Sequence, residues 1–65
     1  MNKIALNKIP VELLPMFNSA IDSGAWPFSY EGHNVTKISF INDLYRLYIP
    51  GIGEIRITGD KEVNF

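Results

Sequence analysis

Apolar and polar side chains alternate with little interruption from Val35 to Thr58, in the run VTKISFINDLYRLYIPGIGEIRIT. A period of two is the mark of strands with one buried face. Asn42-Asp43 divides the run at a two-residue hairpin signal. With those two residues as the loop, Ile41 faces Leu44, Phe40 faces Tyr45, Ile38 faces Leu47 and Thr36 faces Ile49. Ile38, Phe40, Tyr45, Leu47 and Ile49 then share an apolar side, and Lys37, Ser39, Arg46 and Tyr48 share the other. Slipping the register by one residue sets Phe40 against Arg46, so the pattern itself selects the pairing.

The second break is Pro50-Gly51-Ile52. A two-residue loop here pairs Leu47 with Arg56 and mixes the faces, whereas a three-residue loop pairs Leu47 with Ile55 and Tyr45 with Ile57. The three-residue loop is preferred, with Gly51 free to take a left-handed conformation. It sets Arg46 opposite Arg56 and Tyr48 opposite Glu54. A turn at Gly59-Asp60-Lys61 is expected to fold Val63 and Phe65 back over Ile57 and Ile55.

Upstream the spacing changes to three and four. Leu13, Phe17, Ala20 and Ile21 fall on one helical face and Asn18, Ser19, Asp22 and Ser23 on the other. Pro15 inside a continuous helix costs about 3 kcal/mol. The spacing therefore predicts either one helix kinked at Pro15 or, the preferred reading, a helical turn over 10–14 leading into a helix from about Pro15 to Ser23, ended by Gly24. Leu13, Phe17 and Ile21 are expected to lie on Ile38, Phe40, Leu47 and Ile55. Trp26, Phe28 and Tyr30 alternate around Pro27, which predicts an edge strand or an extended loop with one aromatic face. Lys3 to Leu6 is a short strand or arm at the edge of the same sheet. The expected architecture is α+β in two layers: one short helix packed on an antiparallel β-meander of three to four strands.

The chain has 65 residues, one domain near the lower limit for independent folding. It has no cysteine, so neither disulfides nor thiolate metal sites contribute. A hydrophobic content of 46%, with one Trp, three Tyr and four Phe, argues against a disordered chain. One small sheet under one helix leaves apolar surface over, and a homodimer is expected to cover it. Six basic and seven acidic residues give a net charge of −1, which offers no general attraction for nucleic acid or anionic membranes. The N-terminal apolar patch is too short for a signal peptide and no stretch approaches a membrane span, so a cytoplasmic protein is expected.

Candidate chemistry is sparse. His33, the single histidine, lies beside Glu31 in a glycine turn, without the nucleophile or further ligands that a base or metal site needs. The glycines of PGIGEI are followed by a β-rich run with no lysine in place, so they mark a turn and not a phosphate loop. No catalytic, metal or cofactor residues are assigned, and no enzyme is expected. Two surfaces remain. Trp26, Phe28 and Tyr30 either complete a small core or dock a partner, since Trp and Tyr are favoured interface anchors. Lys37, Arg46 and Arg56 cluster around Tyr48 on the polar sheet face, a basic and aromatic combination that single-strand nucleic-acid binders also use. By elimination the sequence predicts a small non-enzymatic regulator or inhibitor that binds another protein. Trp26, Phe28, Tyr30, Arg46, Tyr48 and Arg56 are its contact residues, and nucleic-acid binding by the sheet face is the alternative.

Overall fold

The computed structural model of the chain describes residues 2–25 and 27–65. In chain order these form β1 (Lys3–Ala5), two 3-10 turns (Leu6–Lys8 and Val11–Leu13), α1 (Leu14–Asp22), β2 (Phe28–Tyr30), β3 (His33–Val35), β4 (Lys37–Ile41), β5 (Leu44–Ile49), β6 (Gly53–Ile57) and β7 (Glu62–Asn64). The expected α+β class is observed, with one short helix and an antiparallel β4-β5-β6 meander. Among the described residues the strands number seven and build a second sheet as well, four-stranded, in the order β1-β7-β2-β3.

The meander has the register its alternation dictates. Ile38 pairs with Leu47, Phe40 with Tyr45 and Ile41 with Leu44 across the first hairpin. Leu47 pairs with Ile55, Tyr45 with Ile57 and Arg46 with Arg56 across the second. Asn42 and Asp43 both sit at positive φ (53° and 64°), the mirror-image turn whose twist suits a two-residue hairpin. In the three-residue loop, Gly51 takes φ 87° after Pro50, and the N–H of Ile52 closes the turn on the Ile49 carbonyl at 3.0 Å. Thr36 lies just beyond the ladder and does not face Ile49; its N–H and its hydroxyl both donate to the Tyr48 carbonyl.

The second sheet departs from expectation in a specific way. β3 runs through Thr36 into β4, so one length of chain serves both sheets. Val35 and Ile38 are buried while Thr36 and Lys37 between them are exposed. Two outward residues in succession break the alternation where the chain crosses from one sheet to the other. The segment holding Phe28 and Tyr30 is not an edge: β2 pairs with β3 through a Glu31-Gly32 turn and with β7 through Ser29 and Asn64. The last turn does bring Val63 inward, but β7 pairs with β1 and β2 rather than folding over β6. Its partner β1 belongs to that second sheet, and not to the edge of the meander.

The two sheets close on one core. Phe28, Val35 and Val63 enter from the four-stranded sheet, Ile38, Tyr45, Leu47 and Ile49 from the meander, and Leu6, Ile9 and Leu14 from the N-terminal segment. Leu13 is 37% exposed and Leu14 takes the buried place expected for it, because the 3-10 turn that precedes α1 shifts the phase of the spiral. Phe17 and Ile21 pack against the core as expected. Pro15 falls in the first turn of α1, where an N–H is not needed, so it carries no helix-breaking cost. At the other end Gly24 (φ 75°) donates to the Ile21 carbonyl and Ala25 to that of Ala20, a closed C-terminal motif.

Asn18 corrects another expectation. It points into the sheet rather than to solvent, and its carboxamide holds both backbone groups of Ile38 at 2.8 Å.

Candidate partner-binding face

Strand pairing places Lys37, Ser39 and Ile41 of β4, Arg46 and Tyr48 of β5, and Glu54 and Arg56 of β6 on the outer surface of the meander. This is the face that alternation assigns to polar side chains. Arg46 and Arg56 stand directly opposite each other, a like-charge pair that is mildly unfavourable alone. One carboxylate resolves it. Glu54 Oε2 lies 3.5 Å from Arg46 Nη1 and 3.6 Å from Arg56 Nε. Both contacts are solvent-accessible, so each contributes at most about 1 kcal/mol. Their effect is geometric: one carboxylate joins two guanidinium groups that the register sets opposite each other.

Lys37, Ser39, Ile41, Arg46, Tyr48 and Glu54 line a shallow depression of about 290 Å³. Arg46 forms its floor with a side chain 20% exposed, and its Nε is enclosed without an acceptor. Ile41 and Tyr48 stand at 47% and 49% exposure on its walls. Ile41 was legible as part of this face, being two residues on from Ser39 in the same strand. Three cations against one carboxylate leave the face positive on a chain whose net charge is −1.

The aromatic segment is divided. Phe28 is 3% exposed, with Phe17 and Phe65 rings 5.7 Å and 6.0 Å away, so it is core and not a contact residue. Tyr30 is half-buried against the core. Trp26 lies outside the described residues. A second depression, about 130 Å³, is lined by Ile4, Ile9, Phe17, Phe28 and Phe65 and is an apolar continuation of the core.

Among the described residues no group of His, Cys, Asp and Glu is placed to hold a metal ion. His33 is exposed on β3 and Glu31 occupies the adjoining turn. Asp60 accepts a hydrogen bond from the Thr58 hydroxyl, which holds its carboxyl below the usual value. Among the described residues no helix is long and apolar enough to cross a membrane.

Comparison of the chain with protein-family models, with curated proteins and with solved structures finds no match.

Proposed function

We propose that the chain is a small, non-enzymatic cytoplasmic binding protein, a regulator or inhibitor that docks another protein on the outer face of the β4-β5-β6 sheet. The supporting observation is the depression floored by Arg46 and walled by Ile41 and Tyr48. Arginine and tyrosine are enriched among the residues that dominate binding energy, and a tyrosine covers area with little loss of side-chain freedom. The excess of positive charge selects the partner's chemistry: an acidic segment that also offers an apolar side chain to Ile41 and Tyr48. An acceptor brought to Arg46 would relieve its enclosed donor.

The alternative occupant is single-stranded nucleic acid, favoured by Tyr48 lying beside Lys37 and Arg46. Glu54 weighs against it, because its carboxylate already holds both guanidinium groups and repels phosphate.

Affinity capture from the native cell with tagged wild-type chain and with Ile41→Ser/Tyr48→Ala tests the reading. Both side chains are exposed, so the double variant is expected to keep its circular dichroism and lose a defined protein partner. Equal capture by both chains would overturn the proposal. Capture that vanishes after nuclease treatment, with oligonucleotide binding that weakens steeply in salt, would replace it with the nucleic-acid reading.

A further inference from the structure

The meander has two outer edges, and they are treated differently. At β4 the N–H and C=O of Ile38 point away from β5, and the Asn18 carboxamide takes both. At β6 no described element pairs with the outer side. Which of its groups are free follows from alternation. Since Ile38 does not exchange hydrogen bonds with Leu47, the backbone groups of Leu47 turn towards Ile55. The N–H and C=O of the flanking residues, Glu54 and Arg56, therefore point outward from the sheet.

We infer that a second copy of this chain pairs with that edge, β6 against β6 in antiparallel register, with the two-fold axis at Ile55. Three independent features of the strand meet in this register. The outward backbone groups belong to Glu54 and Arg56, and in the pairing Glu54 of one copy stands opposite Arg56 of the other. These are the positions where an antiparallel pair exchanges both N–H···O bonds. The side chains match as well. Edge charges of one sign repel another edge, which is how many proteins protect themselves. Here they are opposite in sign and two residues apart, so a reversed copy meets each with its complement. Within one copy Glu54 joins both Arg46 and Arg56, and since the Arg56 and Glu54 side chains are largely exposed, Arg56 can exchange that contact for the other copy's carboxylate while Arg46 keeps Glu54 in place. Beneath the sheet, Ile55 and Ile57 point inward but are only partly buried, because no strand lies beyond them. The pairing sets Ile55 against Ile55 and carries one apolar surface across both copies. This inference is independent of the outer-face reading, and its test reads mass, not partner capture.

Sedimentation velocity over a concentration series is measured for wild type, Glu54→Arg, Arg56→Glu and the double exchange E54R/R56E. Wild type is expected to approach twice the chain mass of 7.4 kDa as concentration rises. Each single variant sets like charges opposite one another twice, and its self-dissociation constant is expected to rise at least about tenfold. The double exchange restores wild-type association. An equal mixture of the two single variants forms a heterodimer, since one then presents two arginines and the other two glutamates. Arg56→Pro removes an outward N–H while leaving the β5 ladder whole, and is expected to be monomeric with unchanged circular dichroism. A wild-type chain that stays monomeric throughout, a dimer indifferent to the single changes or to Arg56→Pro, or single variants that fail to associate on mixing would each overturn the inference.

Discussion

The carboxamide of Asn18 stands in for a missing strand beside Ile38. Its Nδ2 donates to the Ile38 carbonyl and its Oδ1 accepts the Ile38 N–H, each at 2.8 Å. A side-chain amide has the same donor and acceptor as a peptide group, so it completes the edge of β4 and fixes α1 to the sheet at the same time. Asn18→Ala leaves two partly buried backbone groups without partners, and a loss of roughly 1–3 kcal/mol is expected. Asn18→Asp keeps an acceptor for the N–H but sets a carboxylate against the carbonyl, and at neutral pH is expected to cost at least as much. Urea denaturation of the three chains checks both; wild-type stability in either variant would show that the tie contributes nothing.

The first hairpin turn carries a removable cost. Asn42 and Asp43 both hold positive φ, which Asn tolerates and Asp less so. Asp43 is exposed and among the described residues no ion pair engages it, so its replacement acts chiefly on backbone preference. Asp43→Gly is expected to raise stability by about 1 kcal/mol. A thermal melt that is unchanged or lower would contradict the turn geometry.

The meander was legible because turn residues pin both ends of its long alternating strands, so only one register keeps Phe40, Leu47 and Ile55 on one side. The second sheet was not, for the opposite reason. Its strands β1, β2, β3 and β7 have three residues each, too few for a period to show. The adjacent polar pair Thr36-Lys37 was the available sign that the chain changes sheets there. Leu6 and Ile9 are buried from a segment with no repeating geometry, which no periodicity marks. Asn18 sits on the helix flank where composition suggests solvent, and only the free edge of β4 explains its direction. For the candidate site, register alone set Arg46 against Arg56. That one glutamate bridges both depends on a diagonal contact that strand order does not dictate.

Asp60 gives the turn before β7 a pH dependence of known sign. Its carboxyl is held below the ordinary value first by the Thr58 hydroxyl and then by a backbone hydrogen bond, with desolvation acting the other way and the charge of Lys61 adding the smallest lowering. A carboxyl with a lowered folded-state value contributes stability that is present above its unfolded value and is lost as pH falls through the folded one. Thr58→Val removes the largest cause. The variant is expected to be less stable than wild type at neutral pH, and the difference to close in acid well below the carboxylate range. The group is fully exposed, so the effect is small, and paired urea midpoints at the two pH values read it. A gap that persists in acid would mean that Thr58 acts through packing and not through this hydrogen bond.

Gly59 is fixed by contact and not by backbone angle. A methyl group built there lies 2.9 Å from Asn7 Cβ and 3.1 Å from Tyr45 Cε2. The Asn7 N–H is bound to the Gly59 carbonyl at 2.9 Å, so neither backbone retreats without losing that bond. Gly59→Ala is expected to cost about 1–3 kcal/mol as overpacking. In a chain of 65 residues the whole stability is about 3–10 kcal/mol, so the melting temperature should fall by several degrees or more. Because the nearest clashing atom belongs to Asn7, Asn7→Gly should return part of the loss in the Gly59→Ala background while destabilising the wild type. The two substitutions are thus expected to be strongly non-additive in a double-mutant cycle. Simple additivity would place the strain elsewhere, against Tyr45, and Tyr45→Phe would not relieve it, since the ring carbon remains.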